Sequence, residues 1–217
     1  MTPTLGWDDK IAILHLGDDE NRFSPDFLDT INEQLDEIQS AAQGLVTTGG
    51  DKFYTNGLDL DWLGAHGDQT QAYVGRVQAL LARVLTFPMP TAAAVTGHAF
   101  GAGAMLAMAH DFRVMRADRG FFCFPEVDIR IPFTDGMAAL IQAKLTPRAA
   151  VASMTTGRRF GGQEAAEFGI VDATAAEGEV TPAATDLLRP LVGKDPGTLG
   201  AIKQTMFRAA ARALTDV

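Results

Sequence analysis

Glu126 is the residue of this chain whose sequence surroundings best suit proton transfer. It follows Phe121–Phe124, a run that is apolar throughout and that Pro125 ends. We expect a strand over Gly120–Phe124, which would place the Glu126 carboxylate at the edge of the core. A carboxylate that loses solvation there has a raised pKa, in the range useful for general acid–base chemistry. A solvated surface glutamate is the alternative interpretation of the same segment.

A glycine-rich segment, GHAFGAGAMLAMAHD at residues 97–111, could supply backbone donors. Its glycines directly precede an apolar run that we expect to be a buried helix. The first N–H groups of a helix lack partners within it, and glycine lets a ligand approach closely, so this helix start is a candidate oxyanion site. Close packing of the helix on a sheet explains the glycines equally well. The patterns GxGxxG, GxxxxGK[ST] and GxSxG do not occur here.

The turn segment TNGLDL, residues 55–60, could supply a second donor. Asn-Gly is a strong turn signal, and a turn here would aim the backbone N–H of Leu58 into a cleft. A tight connection with Leu58 and Leu60 in the core is the alternative.

Composition limits the classes of function. The chain has 217 residues, 47% of them hydrophobic and 21% charged, which is typical of a soluble protein with one main domain. Its net charge of −9 disfavours nucleic acid as a partner, and its longest uncharged apolar stretch, residues 99–109, is too short to cross a membrane. One cysteine and four scattered histidines predict no metal site. The N-terminal residues do not resemble a secretory signal, so we expect a cytoplasmic protein.

Alternating strand and helix patterns predict an α/β fold. From Asp135 onward the pattern is mostly helical. The other predicted helices begin at Ser24-Pro25, running through Ile38, and at Gln71, ending at Leu85. Besides Gly120–Phe124, the predicted strands are Lys10–Leu16, Leu45–Thr48, Thr91–Val95 and Phe112–Met115.

Taken together and in this order, the segments NGLDL, GHAFGAGAMLAMAHD and DRGFFCFPEVDI resemble the crotonase superfamily, the enoyl-CoA hydratase and isomerase family. The resemblance extends over about residues 10–168. It implies a crotonase-like core of ββα units in a spiral over residues 1–145. It also implies a C-terminal helical region over residues 146–217, packed on the core or across a trimer interface. The stretch HDFRVMRADRGFF followed by PEVDI is most similar to monofunctional Δ3,Δ2-enoyl-CoA isomerases.

The resemblance also implies roles for individual residues. The backbone N–H groups of Leu58 and Ala102 match the oxyanion hole that holds an acyl-CoA thioester carbonyl. Enoyl-CoA hydratases of this kind carry two glutamates, and the matching positions here are Met105 and Glu126. The residues expected to contact the substrate are Asn56, Gly57, Leu58, Asp59, Leu60, Ala102 and Met105.

The missing glutamate favours isomerisation over hydration. Hydration needs groups that activate water at one carbon and deliver a proton to its neighbour, and the thioether of Met105 does neither. Moving a double bond from position 3 to position 2 needs one base, so we expect Glu126 to shuttle the proton while Met105 forms an apolar wall. Hydration or another acyl-CoA reaction stays open, with Asp59, Asp128 or Asp135 as a further carboxylate. A non-catalytic member that binds acyl-CoA or a protein is the alternative of another class.

Further expectations concern partners and assembly. The resemblance implies no separate cofactor, because coenzyme A is part of the substrate, and a homotrimer or hexamer acting in the β-oxidation of fatty acids. It also implies a late basic residue, Lys203 or Arg208, that contacts the CoA phosphates. A solvated helix face is the alternative role of both cations.

Overall fold

The computed structural model describes residues 2–216, and two β-sheets organise it. Among these residues the strands are β1 Thr4–Asp8, β2 Ile11–His15, β3 Gly44–Thr48, β4 Phe53–Thr55, β5 Thr91–Val95, β6 His98–Phe100, β7 Phe112–Arg116, β8 Phe122–Cys123 and β9 Ala173–Ala175.

The order of the strands explains how the chain winds. The larger sheet has the order β1-β2-β3-β5-β7-β9, and the smaller has the order β4-β6-β8. The β1–β2 pair is antiparallel, whereas all other paired neighbours are parallel. Because β3, β5 and β7 are each followed by one strand of the smaller sheet and then by helix, the chain repeats a ββα unit. The predicted α/β spiral core is therefore confirmed.

Helices cover both faces of the larger sheet. Within residues 2–216 the helices are α1 Pro25–Ala41, α2 Leu60–Ala65, α3 Thr70–Leu85, α4 Ala102–Ala109, α5 Glu126–Ile129, α6 Asp135–Lys144, α7 Pro147–Met154, α8 Gly162–Glu167, α9 Val180–Leu188, α10 Pro196–Met206 and α11 Arg208–Thr215. Short 3-10 turns lie at Gly67–Gln69 and Arg189–Leu191.

The first long helix begins where its sequence predicts. The Ser24 hydroxyl accepts a hydrogen bond from the Phe27 N–H, 3.2 Å away, and Pro25 occupies the first helical position. The buried residues of α1 are the five whose spacing predicts its apolar face: Phe27, Leu28, Ile31, Leu35 and Ile38.

The hydrophobic core has two parts, one on each side of the larger sheet. The greater part joins α1, α3, α4 and α6 to the sheets, and every residue of α4 is buried in it. The smaller part lies under α9, whose Val180, Ala184 and Leu188 pack on the strand residues Val46 and Ala92. A helix without a solvated face has to be enclosed by its neighbours, so α4 is fixed in position along its whole length.

Several short elements differ from the expectations. The strand predicted over Gly120–Phe124 consists only of β8, and β1, β4 and β6 have no counterpart among the predicted strands. The C-terminal region is not purely helical, because β9 pairs in parallel with β7 at the edge of the larger sheet. Helix α11 packs on α3 and α6, so this region lies against the core. The boundary between residues 145 and 146 stays a prediction.

Lys203 is a structural residue and not a free surface cation. Its ammonium is buried, and Nζ donates to Oδ2 of Asp111 at 2.6 Å and to the Met89 carbonyl oxygen at 2.7 Å. The same Oδ2 also accepts from the Thr91 backbone N–H at 2.8 Å. The predicted role of Lys203 at the CoA phosphates is therefore wrong for this structure, since its three-donor head is enclosed by these partners. Instead, Lys203 ties α10 to the residues that flank β5 and β7.

The ion pair of Lys203 and Asp111 predicts that replacing either residue lowers the stability by a different amount. Asp111→Ala is expected to lower the free energy of unfolding by about 3 kcal/mol, because it leaves the buried Lys203 ammonium without a counter-charge. Lys203→Met should cost only about 1 kcal/mol, because Asp111 keeps its bonds to Thr91 and the methionine replaces the buried aliphatic stem. Urea denaturation of both variants measures the difference, and an equal cost would contradict this account.

No helix within residues 2–216 is long and apolar enough to cross a membrane. Within the same range, no three His, Cys, Asp or Glu side chains group as a candidate metal site.

Candidate active site

The three segments singled out in the sequence meet at one cavity of about 300 Å³. The turn after β4, the start of α4 and the β8–α5 connection each form part of its wall. Its lining residues are Asn56, Leu58, Leu60, Phe100, Gly101, Ala102, Cys123, Pro125, Glu126, Asp128, Ile129, Ile131 and Arg159. Most of these side chains are apolar, which is typical of a pocket for a small organic molecule.

The turn and the start of α4 are in direct contact through Gly57. Its φ is +75°, and a Cβ at this position would lie 2.8 Å from the Ala102 nitrogen and 2.6 Å from the Gly103 nitrogen. Only glycine adopts this backbone conformation without strain and leaves room for such an approach. The backbone of residues 57 and 58 is therefore adjacent to the first N–H groups of α4.

The backbone N–H groups of Leu58 and Ala102 are unpaired in the part of the chain that the structure describes. The amide before Leu58, that of Gly57, donates to Thr55 Oγ1, and the amide after it, that of Asp59, donates to the Tyr73 hydroxyl. The Leu58 N–H between them has no partner. The Ala102 N–H at the start of α4 has none either, as expected for a first helical residue. The residues that carry both predicted donors line the cavity, and their role as an oxyanion hole stays a prediction.

Two further glycines shape the start of α4. Gly101 has φ +53° and ψ −125°, a backbone conformation that residues other than glycine rarely adopt. A Cβ at Gly103 would lie 2.8 Å from the carbonyl carbon of Thr55, so that helix and β4 pack backbone to backbone. The two interpretations of the glycine-rich segment therefore both apply, because close packing is what brings the helix start to the cavity.

Glu126 is the buried carboxylate of the cavity. It is 8% exposed at the start of α5, and its Oε2 is buried without a hydrogen-bond partner among the described residues. Burial raises its pKa from 4.5 to about 7, although the hydrogen bond from its own backbone N–H favours the ionised form. A Cβ at Gly101 would lie 3.5 Å from Glu126 Oε1, so the carboxylate faces the start of α4. Glu126 therefore lines the same cavity as Leu58 and Ala102, the residues that carry the two unpaired N–H groups.

The other predicted contact residues fall into two groups. Asn56 and Leu60 line the cavity, and the buried Oδ1 of Asn56 also lacks a partner among the described residues. Gly57 does not line the cavity itself, but it packs against the backbone of Ala102 at the start of α4. Asp59 instead caps α2, its Oδ1 accepting from the Trp62 N–H at 3.1 Å.

Met105 does not line the cavity. It is 1% exposed and belongs to the core cluster around α4, so the expected apolar wall is formed by other side chains. Met105 therefore contributes to the packing of α4, the helix that begins at the cavity, and not to the cavity wall itself.

The three further carboxylates that the sequence left open are separated by the structure. Asp128 lines the cavity, whereas Asp59 caps α2 and Asp135 begins α6 beside a different hollow. Arg208 is exposed on α11 and does not line the cavity either.

Sequence reasoning missed several lining residues. Phe100, Cys123, Ile129, Ile131 and Arg159 had no assigned role, yet all line the cavity. No sequence signal marked Phe100, because β6 has only three residues and was not among the predicted strands. Nothing local marks Arg159, which lies between α7 and α8 in the sequence.

Comparisons with known proteins point to one enzyme family. The family model that matches the chain is described as enoyl-CoA hydratase/isomerase and covers residues 8–217. Enoyl-CoA delta isomerase 2, peroxisomal, of Arabidopsis thaliana is 40% identical over 181 residues, which cover 79% of this chain and 75% of the relative. Enoyl-CoA delta isomerase 1, peroxisomal, of the same plant is 34% identical and covers 92% of this chain and 87% of the relative.

A solved structure extends the likeness to the whole fold. The probable enoyl-CoA hydratase of Mycobacterium tuberculosis H37Rv superposes with a TM-score of 0.92 at 25% identity, covering 100% of this chain and 92% of that one. The shared fold, the matched family model and the two Arabidopsis relatives agree with the site geometry. This chain belongs to the enoyl-CoA hydratase/isomerase family.

Proposed function

We propose that this protein is a Δ3,Δ2-enoyl-CoA isomerase, which converts 3-enoyl-CoA thioesters to trans-2-enoyl-CoA. The observation that carries the proposal is Glu126, a buried carboxylate whose Oε2 has no partner among the described residues and which lines the same largely apolar cavity as Leu58 and Ala102. The names of the two Arabidopsis relatives support the same reaction.

The reaction begins with the thioester oxygen bound by the N–H groups of Leu58 and Ala102. These donors withdraw charge from the carbonyl and make the C2 proton more acidic. Glu126 removes that proton, and the electrons form a dienolate whose oxygen stays on the two donors. Protonation at C4 by the same carboxyl group moves the double bond to C2–C3 and returns Glu126 to its ionised form. Removing one such donor typically costs about 10²–10³ in kcat.

The environment of Glu126 suits this exchange. A carboxyl group with a pKa of about 7 gives up and accepts a proton with similar ease near neutral pH. The apolar walls keep water from competing with the substrate for the proton. The position that the resemblance assigns to a second glutamate holds Met105, a thioether that neither accepts nor donates the proton that activation of water requires.

An assay of two reactions tests the proposal. The protein is expected to isomerise 3-hexenoyl-CoA at least about a hundredfold faster than it hydrates crotonyl-CoA, because a missing general acid or base typically costs about 10²–10⁴ in rate. A hydration rate equal to or above the isomerisation rate would overturn the order of the two reactions.

One observation favours a second candidate function. Asp128 lines the cavity together with Glu126, so a hydratase or another acyl-CoA enzyme with two carboxylates is the alternative. In that case Asp128→Asn would lower crotonyl-CoA hydration at least about tenfold. A non-catalytic binding protein would instead show CoA thioester affinity without turnover of any enoyl-CoA.

The pKa of Glu126 predicts a pH profile. The catalytic form is the carboxylate, so kcat/KM for 3-hexenoyl-CoA should rise with pH and level off above an apparent pKa of about 7. At pH 5 the value should be about a hundredfold below the plateau, because only that fraction of Glu126 is ionised. Thermal unfolding in the same buffers controls for loss of the folded state. A flat profile between pH 5 and 8 would exclude Glu126 as the base.

The remaining expectations belong to the same proposal. The substrate is an acyl-CoA and coenzyme A enters as part of it, which is consistent with the family. A homotrimer or hexamer and a cytoplasmic location stay predictions, to be checked by sedimentation and by microscopy of the tagged protein.

A further inference from the structure

Arg159 is a cation on the wall of an otherwise largely apolar cavity. Its guanidinium carbon lies 5.6 Å from the centroid of the Phe100 ring, which lines the same cavity. It forms no ion pair with Asp128 or Glu126, the two cavity carboxylates, or with any other described residue. The adjacent Arg158, in contrast, pairs with Glu164 and stacks on Phe160 and Phe168 away from the cavity.

Other cations reinforce the positive potential on this side. Burial lowers the pKa of His98, and the charges of Lys52, Arg119 and Arg159 lower it further. None of these three cations is ion-paired in the part of the chain that the structure describes. Of these cations, Arg159 is the one that lines the cavity itself, where a positive charge without an ion-pair partner attracts an anionic group.

The position of the base indicates which end of the substrate meets Arg159. Glu126 has to reach C2 and C4, so the acyl chain extends from the oxyanion donors along the β8–α5 wall. Arg159 lines the same cavity as Glu126 and Ile129, two residues of the β8–α5 wall. The distal part of the acyl chain therefore passes near Arg159.

We propose that Arg159 selects acyl groups that carry a carboxylate at the end remote from the thioester. This inference rests on the proposed function and adds a substrate class to it: ω-carboxy-3-enoyl-CoA thioesters. The guanidinium offers a planar pair of donors for that carboxylate, while its stacking on Phe100 holds it at the cavity wall.

The test compares Arg159→Gln with Arg158→Gln as a matched control. For each protein, kcat/KM is measured for 3-hexenedioyl-CoA and for 3-hexenoyl-CoA. Arg159→Gln is expected to lower the ratio of the diacid to the monoacid value about fivefold, as for a partly solvated ion pair, whereas Arg158→Gln leaves the ratio unchanged. An unchanged ratio in Arg159→Gln would overturn the proposal.

A phosphate of coenzyme A is the other anion that Arg159 could meet, and a second arm separates it. The same acyl groups are assayed as pantetheine thioesters, which lack the nucleotide. If Arg159→Gln lowers kcat/KM equally for both CoA substrates and spares both pantetheine thioesters, the arginine binds phosphate and the acyl assignment is wrong. If the ratio change persists on pantetheine, the acyl assignment holds.

Binding measurements keep this test independent of the isomerase proposal. Adipoyl-CoA and hexanoyl-CoA have no double bond, so their dissociation constants by calorimetry do not require turnover. If Arg159→Gln weakens the binding of adipoyl-CoA but not of hexanoyl-CoA, the result supports the inference. If the unaltered protein isomerises no 3-enoyl-CoA, that separate result refutes the proposed function.

Discussion

Glu126→Gln is expected to lower kcat for 3-hexenoyl-CoA isomerisation by about a thousandfold or more, with little change in KM. The amide has nearly the same shape but takes no proton from C2 at neutral pH. Glu126 is the buried carboxylate of the cavity, whereas Asp128, the other lining carboxylate, is exposed and is not expected to replace it. Stopped-time assays by absorbance of the 2-enoyl product measure the loss.

The matched control is Asp128→Asn, which removes the other carboxylate that lines the cavity. Its isomerase activity should stay within about threefold of the unaltered protein, because Glu126 moves the proton alone. A thousandfold loss in Asp128→Asn together with a mild effect of Glu126→Gln would exchange the roles of the two residues.

Stability provides a second control on Glu126. Its folded-state pKa of about 7 lies above the ordinary value of 4.5, so the folded protein holds the proton more tightly than the unfolded chain. The stability that this group contributes is present at low pH and is lost as the pH rises from about 4.5 to about 7. Glu126→Gln should therefore unfold at the same or a higher temperature than the unaltered protein at pH 8. A large drop in melting temperature would mean that the activity loss reflects misfolding.

Gly57→Ala is expected to lower kcat/KM by about 10²–10³, because it separates the two backbone donors. Its Cβ would lie 2.6 Å from the Gly103 nitrogen and 2.8 Å from the Ala102 nitrogen, both of them rigid backbone atoms. The turn has to move away from α4 by a few tenths of an ångström or more. The thioester oxygen would then lose the geometry of at least one hydrogen bond.

Gly178→Ala is the matched control for this variant. Gly178 also has a positive φ, +78°, but a Cβ there has no heavy atom within 4 Å. Both variants share the conformational cost of alanine at positive φ, about 1 kcal/mol, and only Gly57→Ala has the clash. Normal activity in Gly178→Ala with a strong loss in Gly57→Ala attributes the loss to the displaced donors. Equal losses would indicate general destabilisation instead.

Elements with a strong local pattern were predictable from the sequence. The cap at Ser24-Pro25 and the spacing of the apolar residues place α1, and compact β-branched and apolar runs place β2, β3 and β5. These signals are local, since a cap or a periodic face depends on residues within one or two turns. The strands β4, β6 and β8 have three residues or fewer, and their pairing with one another depends on distant partners.

The catalytic candidates show the same division. Glu126 and the amide of Leu58 were candidates from the sequence, because an acidic residue after an apolar run and an Asn-Gly turn are visible as types and spacings. Ala102 was assigned by the resemblance to the family, and the roles of all three residues stay predictions. Met105 and Lys203 were misplaced, the first at the cavity wall and the second at the CoA phosphates. Both are buried by contacts with segments far away in the chain, which no local spacing records.

The sequence by itself determined the residue types available for chemistry: Glu126 after an apolar run, Met105 where the resemblance to hydratases implies a second glutamate, backbone donors beside glycines, and a composition suited to an enclosed core. Only the tertiary structure decided that Glu126 Oε2 is buried and unpaired, that Gly57 brings the two donors together, and that Arg159 joins the cavity from between two later helices. The physical reason is that desolvation and close approach are properties of the packed chain. They arise when the two sheets and α4 bring residue 57 into contact with residue 102 and place residue 126 on the same cavity, and the order of the residues alone does not record them.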